Sequence, residues 1–186
     1  MRAVATSLMV AATVLAQATI VNRLPFEWGP GPDLVLAAVV AVALTTSPAA
    51  AAGCGFAAGL AMDVLPPAEH ALGHYSLVLC AAAYLIALLR ANTGPGGVDG
   101  PGASLWARLG VVAATSVGVG LGYVFVGLAM GDVHVTLTTV LGNIVVGTLL
   151  TTLAAFLVCP PILWVRSLLS EGEVSGLQGP ASVGRW

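Results

Sequence analysis

Charged residues are scarce in this sequence, and lysine is absent from it. Only 8% of the 186 residues are charged, against 58% that are hydrophobic, and the mean hydropathy is +0.99. The six basic residues are all arginine and too scattered to form a nucleic-acid-binding patch. A chain of this hydropathy needs lipid as the solvent for most of its surface, and no stretch between its apolar runs is long enough for a separate globular domain. We therefore predict one polytopic, all-α membrane domain.

Motifs for chemistry are missing as well. The sequence has no HExxH, no GxSxG and no pair of intramembrane carboxylates, which excludes the usual cleavage chemistry. Cys54, Cys80 and Cys159 lack metal-ligand spacing and are predicted to be small buried hydrophobes. The glycines from Gly118 to Gly122 lie inside an apolar run with no preceding strand, so we interpret them as packing or hinge residues. We predict no catalytic site, no cofactor and no metal.

Apolar runs predict about six spans, near residues 3–21, 34–46, 49–65, 75–89, 105–128 and 137–158. The run from Leu34 to Leu65 would reach nearly 50 Å as one helix, at about 1.5 Å per residue, so we expect Pro48 to divide it into two short, partly buried helices. A single fused span with an external N-terminus explains the arginine distribution equally well, but length and Pro48 favour six. The first span also has features of a secretory signal peptide. An uncleaved signal anchor, which stays in the membrane as the first span, is the simpler interpretation.

The last span is predicted to stop at Val158, because Pro160 and Pro161 follow. Residues 162–169 are expected to lie along the interface, and residues 170–186 to form a disordered cytoplasmic tail. The Gly- and Pro-rich segment 91–104 is predicted to be a flexible loop.

Arginine distribution predicts the orientation. If both termini are cytoplasmic, five of the six arginines lie on the cytoplasmic side and only Arg23 lies on the external side. The polar groups that then face outward are Asp63, Glu69, His70, His74, Asp132 and His134.

The most informative patch begins at Gly55 and Gly59, a GxxxG pair that predicts close packing between helices. Asp63 follows one turn later, near the C-terminus of the third span, where the helix dipole disfavours a carboxylate. Compensation by Arg23, by His74, or by backbone amides at the start of the fourth span near Gly73 is expected. A hydrated interfacial Asp63 is the equally favoured alternative.

Other polar residues have competing interpretations. Glu69, His70 and His74 would share one face of a helix, with His134 joining them at a metal, but Pro66 and Pro67 favour solvated loop histidines. Gln17 and Asn143 are predicted to form hydrogen bonds between helices, with a role in binding a transported ligand as the alternative.

Part of the sequence resembles the central signature of the MreD family of rod-shape-determining membrane proteins. The resemblance covers about Ala3 to Val165, and its specific part is confined to Gly53 through Leu89. Its residues are Gly55-Phe56, Gly59-Leu60, Asp63, Pro66-Pro67, Leu72-Gly73 and Tyr84-Leu85.

The resemblance implies a non-enzymatic scaffold of the cell-wall elongation machinery in the bacterial plasma membrane. Such a scaffold binds the single-span protein MreC and helps to position a shape-determining glycan polymerase and its penicillin-binding transpeptidase partner, which act on a lipid-linked peptidoglycan precursor. The family is similar in fold to the substrate-binding subunits of energy-coupling vitamin transporters, so a small-molecule-binding transporter subunit is the alternative function. The predicted external side offers few aromatic and polar groups for a vitamin pocket, and this favours the scaffold.

Overall fold

The computed structural model describes residues 2–25, 30–65, 72–93, 104–129 and 137–177, and these residues form a helical bundle. The helices of this part of the chain are α1 (Arg2–Thr19), α2 (Leu34–Ala43), α3 (Pro48–Val64), α4 (His74–Thr93), α5 (Leu105–Ala129) and α6 (Leu137–Leu177), with one 3₁₀ turn at Val21–Arg23. Four of them, α1, α4, α5 and α6, are long and apolar enough to cross a membrane, whereas α2 and α3 are shorter. The described chain is thus all-helical and has the character of a multi-pass membrane protein.

Helix α2 is the centre of the bundle. Each residue from Val35 to Leu44 is at most 3% exposed, and α2 contacts all five other helices. A helix that is apolar on every face has no side to offer to water, so it becomes the core. Its 10 residues span only about 15 Å, half of a bilayer core, which leaves both of its ends inside the protein.

Both ends of α2 meet charged side chains. At the N-terminus, Asp33 accepts a hydrogen bond from the backbone amide of Leu36 at 2.8 Å. At the C-terminus, Arg90 donates to the carbonyl oxygens of Leu44 and Thr46, at 3.1 and 3.0 Å. A carboxylate at the N-terminus and a guanidinium at the C-terminus both complement the helix dipole. We call these the aspartate end and the arginine end of the bundle.

Pro48 separates α2 from α3 and stands in the first turn of α3. Ser47 before it is extended, with φ −67° and ψ 155°, the conformation that a following proline favours. Leu34 to Leu65 is therefore not one fused helix, and the described residues form six helices, of which four have the length and hydropathy of a membrane span.

Helix α6 differs from the sequence prediction. The predicted stop at Val158 is wrong, because α6 continues through Pro160 and Pro161 and ends at Leu177. Each proline removes one backbone hydrogen bond, a loss that a helix in apolar surroundings tolerates more readily than an unwound backbone. Residues 162–169 are thus part of α6 rather than a separate segment. The first part of the predicted tail, residues 170–177, is helical too, and the remainder lies outside the described residues.

The segment after α4 and the three cysteines agree with the sequence predictions only in part. Helix α4 ends at Thr93, so residues 91–93 of the predicted loop are helical, and residues 94–103 lie outside the described part of the chain. Cys159 is buried, with its sulfur 3.6 Å from the carbonyl oxygen of Ala37, whereas Cys54 and Cys80 are only half-buried.

Candidate functional site

The GxxxG pair of α3 lies directly against α4. A Cβ atom added to Gly55 would come within 2.6 Å of the carbonyl oxygen of Leu79, and one added to Gly59 within 2.5 Å of the Cα atom of Ser76. No side chain fits at such distances from a neighbouring backbone. The two glycines are therefore what allows α3 and α4 to pack so closely.

Asp63 joins the same two helices at the next turn. Its carboxylate accepts hydrogen bonds from the backbone amides of Gly73 at 3.0 Å, Tyr75 at 3.3 Å and Ser76 at 3.1 Å. Gly73 has φ +92°, a backbone conformation that residues other than glycine rarely adopt. The turn at Gly73 directs the three amides toward Asp63. Asp63 is 2% exposed. Among the partners considered from the sequence, the structure thus places the α4 amides on this carboxylate, and the hydrated interfacial alternative is wrong.

The large side chains of the MreD-like signature point away from this contact. Phe56 and Leu60 on α3 are 43% and 39% exposed, and Tyr84 and Leu85 on α4 are 44% and 54% exposed. The signature therefore has two parts: glycines and a carboxylate that hold α3 on α4, and apolar side chains on the outside of the pair.

A second buried contact links α4 to the aspartate end of α2. The Tyr75 hydroxyl donates to Asp33 Oδ2. The backbone amide of Asp33 in turn donates to the Thr151 hydroxyl of α6 at 2.9 Å. Asp33 therefore ties three helices together at one point.

We expect Tyr75→Phe to lower the free energy of unfolding by about 1.5 to 3 kcal/mol, the usual range for a hydrogen bond to a charged group. The ring is retained, so the loss reports the hydroxyl alone. Tyr84→Phe is the matched control, because Tyr84 lies on the same helix with its side chain 44% exposed. Thermal unfolding in detergent measures both variants, and equal midpoints would show that the Tyr75 contact adds nothing.

His74 is buried at the start of α4, with 7% of its surface exposed, so its interpretation as a solvated loop histidine is wrong. Its ring stacks on that of Tyr123, with centroids 4.0 Å apart and planes within 8°. Its Nε2–H donates to the carbonyl oxygen of Tyr123 at 3.0 Å. His74 thus joins α4 to α5.

Gln17 and Asn143 have different surroundings. Gln17 is buried on α1 and donates to Asn22 at 2.9 Å and to the Pro32 carbonyl at 3.0 Å, while accepting from the backbone amide of Leu34 at 2.9 Å. It therefore fixes the chain that enters α2. Asn143 is exposed on α6, and its side-chain amide has no hydrogen bond to a described residue, so the expected interhelical bond does not form within this part of the chain.

The predicted histidine cluster falls mostly outside the described residues. Glu69, His70 and His134 belong to segments 66–71 and 130–136, which the structure does not describe. Within the described ranges no three His, Cys, Asp or Glu side chains lie close enough to hold a metal ion.

An apolar groove of about 630 Å³ runs between α4 and α5. Four of its lining side chains are exposed to the outside of the bundle by more than half of their surface: Leu77, Leu85, Leu89 and Phe125. Small residues of both helices also line it: Ala81, Ala82, Ala114, Gly118 and Gly122. The α4 residues that line it extend from Leu77 to Thr93, about 24 Å of helix.

No protein-family model matches this sequence, and no curated protein or solved structure matches it either. The resemblance to the MreD family rests on the residues of the signature alone.

Sequence reasoning missed Asp33 and Tyr75. The signal for Asp33 was present, because an Asp that follows proline and precedes an apolar run has the pattern of a helix N-cap. Tyr75 had no such signal, since its partner is 42 residues away and pairs with it only through the tertiary fold.

Proposed function

We propose that this chain is a non-enzymatic membrane scaffold of the bacterial cell-wall elongation machinery. Its direct partner is a single-span MreC-like protein, through which it helps to position the shape-determining glycan polymerase and its penicillin-binding transpeptidase. The resemblance to the MreD family supplies the identity of these partners. The observation that carries the proposal is the groove between α4 and α5.

The groove suits a transmembrane helix. Its length of about 24 Å approaches the ~30 Å thickness of a bilayer core, so a spanning partner helix could lie along most of it. A Cβ added to Gly118 would meet nothing within 4 Å, so the backbone there is accessible from the groove. Small residues that expose backbone are the usual contact surface between membrane helices.

The polar groups of the signature support a structural rather than a catalytic role. Asp63 accepts hydrogen bonds from backbone amides of its own chain, and α4 covers Gly55 and Gly59. A carboxylate held this way stabilises the α3–α4 pair and presents no reactive atom to a substrate.

The arginine end supports the orientation within the plasma membrane that the proposal needs. Arg90 and Arg166 lie at the same end of the bundle as the start of α1, since Arg166 donates to the Thr6 hydroxyl at 2.6 Å. Arginines concentrate on the cytoplasmic side of membrane proteins. We therefore infer cytoplasmic N- and C-termini, with Asp63 and His74 toward the external side.

We expect Gly118→Leu to reduce recovery of the partner about tenfold, because a side chain in the groove costs roughly the 1.4 kcal/mol that corresponds to that factor. The measurement is co-purification in detergent of the tagged chain, coexpressed with its MreC-like protein. Gly110→Leu is the matched control: it makes the same change on α5, a Cβ there also meets nothing within 4 Å, and Gly110 does not line the groove.

Equal partner recovery with both variants would exclude the groove as the docking site. Failure of the wild-type chain to retain the partner, together with a tightly bound vitamin, would overturn the scaffold in favour of the transporter subunit.

A further inference from the structure

Tyr84 carries a hydroxyl group near the centre of a membrane span. Helix α4 runs from His74 to Thr93 and is one of the four described helices that are long and apolar enough to cross a membrane. Tyr84 lies halfway along it, about 15 Å from either end at 1.5 Å per residue. A tyrosine side chain is much shorter than that distance, so the hydroxyl does not reach the water at either membrane surface.

The Tyr84 hydroxyl has no acceptor among the described residues. The side chain is 44% exposed on the outside of the bundle. Tyr75 of the same helix differs, because its hydroxyl donates to Asp33. Lipid tails offer no acceptor at this depth, and a polar group left unpaired in hydrocarbon costs free energy. The Tyr84 hydroxyl therefore favours a protein neighbour over a lipid one.

Phe56 of α3 lies on the same side of the α3–α4 pair as Tyr84. The two glycine contacts described above occur in opposite order along α3 and α4, so these helices are antiparallel. Gly55 faces Ala83, with 3.0 Å between an added Cβ and the Cβ of Ala83, and Phe56 and Tyr84 are the residues that follow them. Seen from one end, antiparallel right-handed helices turn in opposite senses, so the residues that follow a contact pair emerge on one side. Leu60, one turn after Phe56, continues this row.

Phe56, Leu60 and Tyr84 together form a surface that we call the α3–α4 face. Phe56 and Leu60 are 43% and 39% exposed, and none of the three residues lines the groove between α4 and α5. The α3–α4 face is thus separate from the groove, and it is apolar except for one hydroxyl at the middle of the span. Aromatic side chains with a polar tip are typical of contact surfaces.

We propose that the α3–α4 face binds a transmembrane helix of a second protein, which presents an uncharged hydrogen-bond acceptor to the Tyr84 hydroxyl. The acceptor is the side-chain oxygen of a serine, threonine, asparagine or glutamine near the middle of that helix, the usual polar contact between membrane helices. A second copy of this chain fits less well, because two symmetric Tyr84 hydroxyls would use one proton and leave the other without an acceptor. This proposal goes beyond the proposed function and does not rest on it, since the groove is a different surface.

The test uses the full chain in its native cells, with the photo-crosslinker benzoylphenylalanine in place of Phe56. We expect a covalent product with a membrane-spanning peptide of another protein, and mass spectrometry should show one of the four acceptor residues in that peptide. Adding Tyr84→Phe should lower the yield about threefold to tenfold, the effect of one hydrogen bond between membrane helices. Thermal unfolding in detergent checks that Tyr84→Phe keeps the fold.

Two controls make the result specific to the α3–α4 face. The same crosslinker in place of Phe156, which is 51% exposed on α6, should give a product that does not depend on Tyr84. Gly118→Leu, which fills the groove, should leave the product at Phe56 unchanged, so failure of the groove and failure of this face are distinguishable. Loss of the product with Gly118→Leu, adducts with lipid alone or with a second copy, or equal yields with and without the Tyr84 hydroxyl would overturn the proposal.

Discussion

Gly59→Ala should lower the free energy of unfolding by about 3 kcal/mol or more. The new methyl group would lie 2.5 Å from Ser76 Cα and 2.9 Å from Ser76 N, so α4 has to move away. Overpacking of this kind costs about 1 to 3 kcal/mol. The displaced Ser76 amide also donates to Asp63, and weakening that charge-assisted bond adds to the loss. Thermal unfolding in detergent provides the measurement.

Gly53→Ala is the matched control for this prediction. It makes the same change on the same helix, and a Cβ at Gly53 meets nothing within 4 Å. Because alanine favours helix over glycine by about 1 kcal/mol, this variant should be neutral or slightly more stable. Similar behaviour of the two variants would show that α3 and α4 are not in close contact at Gly59.

The sequence predicted the parts of the fold that local chemistry determines. Pro48 divides a run too long for one span, and the structure has separate helices on its two sides. Gly55 and Gly59 predicted close packing, and they lie against α4. Both results follow from properties of the residues themselves, namely the fixed φ of proline and the missing side chain of glycine.

What could not be predicted depends on tertiary contacts. Pro160 and Pro161 are strong stop signals locally, yet α6 continues through them because helix is the backbone state that apolar surroundings favour. The sequence predicted partial burial of α2 but not its complete burial, because its sequence is as apolar as a lipid-facing span. Its distinguishing feature is its length of 10 residues, together with the charged groups at its two ends.

Charged side chains bind the backbone at both ends of α2. Asp33 binds at the N-terminus of α2, and Arg90 and Arg166 bind the carbonyls at its C-terminus. A short helix inside a bundle cannot rely on water to satisfy its terminal backbone groups, so side chains must do so.

Asp63→Ala should cost about 2 to 4 kcal/mol of folding stability, because three backbone amides at the start of α4 lose a buried acceptor. Asp63→Asn should cost less, since its one oxygen still accepts from Gly73 or Ser76, while its amide group opposes the Tyr75 N–H. Unfolding midpoints in detergent rank the variants.

Combining Asp63→Ala with Gly59→Ala should cost less than the two separate losses together, because both act on the Ser76 amide. Unchanged stability with lost partner binding would instead make Asp63 a partner contact, and additive losses would separate the carboxylate from the glycine contact.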